Sequence, residues 1–468
     1  ASWMARYALE RPDNLPEKDE QDALMDLLQQ RGYRHEEVIE RQFIAEGKTI
    51  RKIIGTTQEK KRESTLKAMQ DGVEVIVQAR LEKAPFAGYA DFLIKVPGTS
   101  LFGDYRYEVW DSKLSKSSKA SFLIQLCCYA DMLEAIQGVL PPQVVVVLGN
   151  GDLSLNRTSD FYYYYQNLKK IFLEEQKGFD VSSMPDPSQS KNWGSWRDFA
   201  QELLIERDHL SQVAAITQSQ IKKLNQAGLV SVRDLIETDK NRVPGLSASI
   251  FSRLRAQAKM QAASRGLDIP AYEILPHNGD KKGLALLPPH SALDVFFDIE
   301  GSPLEEGGLE YLWGNSYFDD DSERQFKDFW ALDSTEEKQC FRNFIHWVFE
   351  RWSRDPQMHI YHYGHYEIAA CRKLMGRYGV CEYEVDQLLR NEVFVDLYKV
   401  VKSGLILGEP SYSIKNVEHL YRPRRDTLVG NGGDSVVAFE HWQERHSQGL
   451  EGSTWETSKI LKDLRDYN

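Results

Sequence analysis

The hydrophobic and polar positions of the first 175 residues alternate in a way that predicts a β-sheet and one long helix. Strand-like runs occupy residues 73–81, 90–96 and 105–110, and the last of these, YRYEVW, alternates with period two. Residues 119–138 predict an amphipathic helix that ends at Gly138. The apolar run VVVVL at 144–148 predicts a buried strand. The predicted order is β-β-β-α-β, which indicates an α/β domain.

Residues 176–290 are different in character. The Pro/Ser-rich segment 182–190 predicts a linker, and residues 203–265 are helical with short breaks. Two helix pairs joined by turns at Gly228 and Gly245 resemble helix-hairpin-helix units, in which turn amides and nearby lysines hold a phosphate backbone. A helical connector without such contacts is the alternative interpretation.

The last block begins near residue 291 and alternates strands with helices in the order β-β-β-α-β-α-β-α. This order is similar to that of a ribonuclease H-like fold. The predicted strands are 293–300, 311–318, 325–332, 359–363 and 392–397, and the first two helices are 335–351 and 366–377. The sequence therefore predicts a multidomain α/β chain with domains at 1–175, 176–290 and 291–468.

Composition places the chain among globular proteins, since 41% of its 468 residues are hydrophobic and 27% are charged. No apolar run approaches the length of a transmembrane helix, so no membrane partner is expected. Five cysteines do not make a disulfide framework, and a reducing, cytoplasmic setting is expected. The start at Ala1 lacks Met and a signal-peptide pattern, which predicts that the sequence is part of a longer chain.

The net charge of −12 is unevenly distributed. Residues 291–468 carry 20 Lys/Arg and 32 Asp/Glu, whereas the two preceding blocks are close to neutral. A protein that only coats nucleic acid would be basic throughout. An acidic domain can still act on nucleic acid if its carboxylates hold divalent cations, although a solvated surface explains acidity equally well.

The first group of residues with chemical potential lies on two adjacent predicted strands. Asp91 lies on one strand, and Asp111 and Lys113 lie two residues apart on the next, which puts both side chains on one face of the sheet. Carboxylates that hold Mg²⁺ or Mn²⁺ supply what phosphodiester hydrolysis needs, and a nearby lysine orients the attacking water. Gln125 and Tyr129 follow on one face of the predicted helix.

The ordered set GxxD, DxK and QxxxY resembles the PD-(D/E)xK nuclease pattern in its RecB-like form. The resemblance implies a restriction-endonuclease-like core in which Asp91, Asp111 and Lys113 are catalytic, and Gln125 and Tyr129 support the site. The family also carries an upstream metal-binding histidine, and His35 lies where that residue would be. A histidine on a helix surface is the alternative for His35.

The second group begins with Asp298 and Glu300, two carboxylates on one face of a buried strand. Burying two like charges is costly without a cation. The DxE spacing resembles the first motif of DEDD-type 3′–5′ exonucleases. By this resemblance Glu367 takes the place of the second-motif aspartate and Asp396 follows at a familiar distance. These four residues are the predicted metal ligands of this domain, with catalytic roles for the first three.

The third DEDD motif has no clear match before Asn468. Its last ligand is expected just beyond the given sequence, so that this domain is expected to be truncated, with Asp463 or Asp466 as alternatives. His359, His362 and His365 fit no standard zinc spacing. Nucleases of the RecB-like family that this chain resembles often carry a cysteine cluster in the segment that corresponds to 185–200. Here the segment has no cysteine, so neither an iron–sulfur cluster nor zinc is expected.

The whole order resembles RecB-like nucleases that carry a ribonuclease H-like domain and are often fused to a superfamily I helicase. The resemblance implies a metal-dependent deoxyribonuclease that uses Mg²⁺ or Mn²⁺, acts on single- or double-stranded DNA, and works with a helicase domain or subunit in DNA repair or antiviral defence. A nucleic-acid-binding scaffold with one or both nuclease sites inactive is the alternative hypothesis.

Overall fold

The structure is a computed structural model that describes residues 2–11, 16–20, 22–190, 192–276, 281–305, 307–422 and 429–468. The chain divides into two compact units. One comprises residues 25–183, and the other comprises residues 1–24 together with 184–468. Among the described residues, no helix combines the length and the apolar character needed to cross a membrane. We describe each unit by itself.

Helices and strands alternate along most of the chain. The helices are α1 (Ser2–Glu10), α2 (Ala23–Ala45), α3 (Gln58–Gln70), α4 (Ala120–Gln137), α5 (Ser159–Lys177), α6 (Arg197–Glu206), α7 (Gln218–Gln226), α8 (Val232–Glu237), α9 (Ala248–Ala263), α10 (Ser334–Arg354), α11 (Tyr366–Tyr378), α12 (Glu382–Arg390), α13 (Leu397–Gly404), α14 (Ile414–Val417), α15 (Gly432–Ser447) and α16 (Lys459–Tyr467). The strands are β1 (Ile50–Lys52), β2 (Val75–Lys83), β3 (Phe86–Ser100), β4 (Gly103–Ser112), β5 (Gln143–Val147), β6 (Leu153–Arg157), β7 (Tyr272–Ile274), β8 (Val295–Ser302), β9 (Leu309–Phe318), β10 (Arg324–Trp330), β11 (Ile360–His362), β12 (Phe394–Asp396) and β13 (Leu405–Leu407).

The unit of residues 25–183 is built on a six-stranded mixed sheet in the order β1-β2-β3-β4-β5-β6. The pairs β1/β2 and β4/β5 are parallel and the others are antiparallel. Residues of α3 and α4, such as Met69 and Leu126, share one core cluster with the sheet. Ile39 and Phe43 of α2 pack in another cluster with Val77 and Phe92. The sheet is therefore covered by helices on both faces.

The helix α4 ends as predicted, because Gly138 takes a left-handed conformation with φ of 75° and its amide donates to the Glu134 carbonyl. The pattern missed β1, α3, β6 and α5, which complete this unit. The strand β1 has only three residues, so alternation over four or more residues could not reveal it.

The C-terminal part of the other unit contains a five-stranded sheet in the order β10-β9-β8-β11-β12. The strands β8, β9 and β10 are antiparallel neighbours, and β11 and β12 run parallel to β8. The rings of Phe297 and Phe344 stack with centroids 4.4 Å apart, so one face of β8 packs on α10. The side chains of Phe296, Asp298 and Glu300 lie on the opposite face of β8.

The helices α7, α8 and α9 enclose a small core of their own, which includes Leu224, Leu235 and Phe251. Capping boxes at Thr217 and Ser231 begin α7 and α8. These local signals explain why the sequence pattern locates the helices.

This helical segment belongs to the same unit as the C-terminal sheet because α9 is bound to β13. Gln257 Nε2 donates to the Leu407 carbonyl over 2.7 Å, and Tyr412 OH donates to Gln257 Oε1 over 2.6 Å. The short strand β7 pairs with β13. Gln257 is buried, so each of its polar atoms must find a partner inside the protein.

We predict that Gln257→Leu lowers the free energy of unfolding by about 1–3 kcal/mol, because it leaves the buried Leu407 carbonyl without its donor. Urea unfolding followed by tryptophan fluorescence measures this change. Gln226→Leu is the matched control, since Gln226 is exposed at the end of α7. Equal stability of the two variants would show that Gln257 does not hold α9 to β13.

Candidate functional site

Next to Asp91, the regular alternation of side chains between the two faces of the sheet is interrupted. Ala90 and Leu93 both belong to the core cluster that includes α4, although they are three residues apart on β3. On β2 the same break occurs between Ile76 and Ala79. The residue of β2 that lies opposite Asp91 is Gln78, which has a positive φ of 56°. Such a conformation is uncommon for a residue other than glycine and clusters at functional sites.

Asp91 is held by the end of the neighbouring strand. Its Oδ2 accepts hydrogen bonds from the amide of Ser112 over 2.8 Å and from Ser112 Oγ over 2.9 Å. Its Oδ1 lies 3.5 Å from Gln78 Nε2. These bonds fix the carboxylate of Asp91 beside Asp111, the residue that precedes Ser112 on β4.

Asp111 is buried, with 1% of its surface exposed, and Oδ2 pairs with Lys113 Nζ. Burial and the nearby Asp91 carboxylate raise the pKa of Asp111 well above its ordinary value, although Lys113 opposes the shift. The structure therefore brings Asp91, Asp111 and Lys113 together. The two acids repel each other, and the one lysine compensates only part of their charge.

A third acid, Glu36 of α2, approaches the same pair, and the sequence analysis did not identify it. Burial and the carboxylate of Asp91 are the main causes that raise the pKa of Glu36 to about 7. Gln78 Nε2 donates to Glu36 Oε2 over 2.8 Å. We call Glu36, Asp91, Asp111 and Lys113 the carboxylate cluster.

His35 precedes Glu36 on α2, and neighbouring residues of a helix project about 100° apart. The described interactions with Asp91 and Asp111 come from Glu36. His35 Nε2 is a buried atom that finds no hydrogen-bond partner within the described ranges. The motif His-Glu contains the signal for Glu36, since both residues can bind a metal ion.

Gln125 and Tyr129 are neighbours on α4, where Gln125 Nε2 donates to Tyr129 OH over 3.3 Å. Burial raises the pKa of Tyr129, and the charges of Asp111 and Asp91 add to this shift. The Tyr129 ring also explains Gly88, because a Cβ at that position would lie 2.6 Å from Tyr129 Cε1. The GxxD spacing thus leaves room for the tyrosine of QxxxY beside Asp91.

The donor chemistry of the carboxylate cluster fits a hard divalent cation. Among the described residues there is no group of three or more His, Cys, Asp or Glu side chains that could hold a metal ion as placed. Proteins usually bind Mg²⁺ through one or two carboxylates together with waters and substrate phosphates. Asp91 and Asp111 are such a pair, and a cation between them would relieve the repulsion that raises the pKa of Asp111.

The acids of the C-terminal sheet are arranged differently. Asp298 is exposed and lines an open cavity of about 890 Å³, together with basic residues that include Arg324, Lys415 and Arg465. The structure describes all four of the predicted carboxylates in this domain, and the other three do not line this cavity.

Glu300 and Glu367 are both buried. Ser435 Oγ of α15 donates to Glu300 Oε2 over 2.5 Å. Glu367 Oε2 lies 3.3 Å from Nδ1 of the buried His362. Glu300 therefore has a hydroxyl partner, whereas Glu367 Oε2 and both ring nitrogens of His362 are buried atoms without a hydrogen-bond partner among the described residues.

Asp396 acts as the N-cap of α13. Its Oδ1 accepts from the amide of Tyr398 and from the amide of Gly364, each over 3.0 Å, and its Oδ2 lies 3.6 Å from Lys399 Nζ. An Asp at the N-cap is favoured because it satisfies amides that have no partner within the helix. This local role fixes the position of the Asp396 side chain, and metal binding by Asp396 stays a prediction.

A network of buried polar side chains lies beside these acids, and the sequence pattern did not predict it. Glu310 is 3% exposed, and it accepts from Tyr366 OH over 2.7 Å and pairs with Lys373 Nζ over 2.9 Å. Burial first, and then the charge of Glu310, raises the pKa of Tyr366. Glu300 and Glu367 add to this shift, so the network lies close to both of them.

Comparison with known proteins agrees with the order of the C-terminal sheet. A family model described as the RNase_H superfamily matches residues 295–468. No curated protein and no solved structure matches the chain. The C-terminal domain is therefore ribonuclease H-like and has a fold of the nuclease type. The match covers β8 to the last residue and does not extend to the unit with the carboxylate cluster.

We predict that the chain without divalent cations loses stability as the pH rises from about 4.5 to about 7. In this window folded Glu36 keeps a proton that the unfolded chain has already released, so unfolding releases the proton and is favoured by rising pH. In Glu36→Gln the side chain keeps an oxygen that can accept a hydrogen bond from Gln78. With solvent screening taken into account, the fall in the free energy of unfolding over this pH range should be smaller by about 1–2 kcal/mol in the variant.

Thermal unfolding in EDTA, followed by circular dichroism across this pH range, measures the effect. Glu37→Gln is the matched control because Glu37 is exposed on the same helix. The same pH dependence in the wild type and in Glu36→Gln would show that Glu36 is not part of a strained group of acids.

Proposed function

We propose that this chain is a metal-dependent nuclease that hydrolyses DNA at the carboxylate cluster. One observation supports the proposal most directly. The carboxylates of Asp91 and Asp111, from adjacent strands, lie close together, and Lys113 forms an ion pair with Asp111. The ribonuclease H-like domain supports a role on nucleic acid. The DNA preference and the association with a helicase rest on the RecB-like resemblance of the residue pattern.

Asp91 and Asp111 would hold the Mg²⁺ or Mn²⁺ ion, with Glu36 as the third acid beside them. When bound, the cation neutralises charge on the scissile phosphate and makes a nearby water more acidic. Lys113, which pairs with Asp111, would orient the attacking water or stabilise the negative charge that develops on the phosphate.

The residues around the cluster hold the catalytic groups in position. Ser112 fixes Asp91 through two hydrogen bonds, and Gln78 fixes Glu36. Gln125 and Tyr129 close the side formed by α4 and offer hydrogen-bonding groups to a substrate strand. Rigid positioning of this kind is what phosphodiester hydrolysis requires from side chains that do not react themselves.

We predict that Asp111→Ala abolishes cleavage of labelled DNA, because it removes a carboxylate from a site that has few of them. Lys113→Ala lowers the rate by about 10²–10³-fold while Mn²⁺ still binds, since lysine is not a metal ligand. Gel assays with single- and double-stranded DNA and RNA measure cleavage, and Mn²⁺ electron paramagnetic resonance measures binding. Asp104→Ala, an exposed acid on the same strand, is the control. Cleavage that survives both substitutions at the cluster would contradict the assignment.

A second function is favoured for the C-terminal domain, namely a nucleic-acid-binding scaffold. Two of its predicted ligands have partners within the protein, since Ser435 Oγ donates to Glu300 and Asp396 caps α13. The exposed Asp298 shares its cavity with several basic residues, which suits a phosphate backbone.

For the scaffold function we predict that Asp298→Ala and Glu300→Gln leave DNA cleavage within about twofold of the wild type, in contrast to Asp111→Ala. The same gel assay measures this, with circular dichroism to check that each variant is folded. A metal-dependent activity that persists in Asp111→Ala and disappears when Asp298→Ala is added would instead assign an active exonuclease to this domain.

A further inference from the structure

A cavity of about 550 Å³ lies between α9 and α13 in the unit that contains the C-terminal sheet. Ala214, Leu254 and Tyr412 are buried and give it an apolar floor. Arg253, Lys399 and Lys402 are exposed and give it a basic rim. We call this the α9–α13 cavity.

The rim of the cavity is basic. Lys399 and Lys402 belong to residues 291–468, which have 12 more acidic than basic residues, yet no Asp or Glu is found among the described residues that line the α9–α13 cavity. Three cations at the edge of an apolar hollow attract a ligand that is both anionic and partly apolar.

The rim side chains are held in place by their neighbours. Arg253 donates through its guanidinium to the carbonyl of Lys402. Lys402 Nζ lies 3.1 Å from Tyr398 OH and 5.1 Å from the centre of the same ring. Tyr398 is half-buried, so its ring is a fixed aromatic surface beside two cations.

The α9–α13 cavity shares a wall with the cavity that contains Asp298. The rings of Tyr398 and Tyr363 meet edge to face with centroids 5.8 Å apart. Tyr398 lines the first cavity, and Tyr363 and Leu397 line the second. The two cavities, both with basic lining residues, are therefore neighbours separated by a pair of tyrosines.

The backbone at the edge of the α9–α13 cavity is strained. Ala215 lines the cavity with a φ of +62°, a left-handed conformation that alanine rarely adopts. Strain of this kind is maintained where the surrounding structure requires it, and ligand-binding sites are among the places where it clusters.

We infer that the α9–α13 cavity binds a single strand of nucleic acid, with a base on the apolar floor and phosphates on the basic rim. From there the strand passes Tyr398 and Tyr363 towards Asp298. Aromatic rings combined with a basic groove are the features that bind single strands without sequence preference. A base of a duplex must first be unpaired and unstacked before it can enter such a cavity, whereas a base of a single strand enters at lower cost. The inference deepens the proposed function and rests on the nucleic-acid role given there.

The test measures binding of a fluorescein-labelled oligothymidylate to the full chain by fluorescence anisotropy. The chain carries Asp111→Ala and the buffer contains EDTA, so cleavage does not interfere. The double variant Lys399→Ala, Lys402→Ala is compared with Lys259→Ala, Lys338→Ala, which removes two exposed lysines elsewhere in the same unit.

The first pair should weaken binding roughly tenfold and lower the slope of log K against log salt by about 1.4, which is about 0.7 for each phosphate contact. The control pair should change both quantities much less. As an independent measurement, an oligonucleotide that contains 5-bromodeoxyuridine should cross-link to the peptide with Tyr398.

Three results would overturn the inference. The first is equal weakening by both pairs, which would show a general effect of charge. The second is competition by thymidine monophosphate as strong as that by the oligonucleotide, which would indicate a mononucleotide site. The third is equally strong competition by polyglutamate, which would indicate an acidic protein partner.

The outcome is separable from that of the proposed function. If neither the wild type nor any variant cleaves DNA, but binding depends on Lys399 and Lys402, the nuclease proposal fails and the inference stands. If Asp111 is required for cleavage but the two lysines are not required for binding, the inference fails and the nuclease proposal stands.

Discussion

The repulsion between the buried Asp111 and its neighbouring carboxylates, near the end of the central strand β4, governs the chemistry of the six-stranded sheet. Asp111 is almost completely buried beside Asp91, with Glu36 approaching from α2. Folding does not retain such a group for stability, since buried like charges are unfavourable. The structure reduces the cost through Lys113, through the hydrogen bonds of Ser112 and Gln78, and through raised pKa values. A cation would reduce it further, which makes the cluster a candidate catalytic site.

Two acids of the ribonuclease H-like domain are stabilised in a different way. Glu300 and Asp396 accept hydrogen bonds from a neighbouring hydroxyl and from backbone amides, whereas Glu367 Oε2 is buried without a hydrogen-bond partner among the described residues. A carboxylate that has such a partner does not need a metal ion to be stable in the folded chain. The contrast between the two units, more than either fold, separates the proposed catalytic role from the proposed binding role.

The sequence predicted most of the structural elements because the signals were local. The strands β3, β4, β8 and β9 alternate or are continuously apolar, and α4 and α11 end at glycines with a positive φ. The ribonuclease H-like order of the last block, confirmed by the family match, followed from these elements. The three-residue strand β1 was not predictable, since its pairing with β2 depends on residues 25 positions away.

The candidate site was only partly predictable. Asp91, Asp111 and Lys113 come from strands that are neighbours in the chain, so their spacing indicates that they meet. The pattern selected His35, which stays a prediction, and it did not select Glu36, the neighbouring residue of α2 that interacts with the carboxylate of Asp91. The pattern also could not show the positive φ of Gln78, opposite Asp91.

We propose that the carboxylate cluster holds protons near neutral pH and that a divalent cation displaces them. Isothermal titration of Mn²⁺ into the full chain near pH 7, repeated in buffers of different ionisation enthalpy, counts the protons released on binding. We expect Mn²⁺ to bind with release of protons from the wild type, and Asp111→Asn to weaken binding and reduce the release. Binding of Mn²⁺ without proton release, or equal binding by Asp111→Asn, would contradict this role of the cluster.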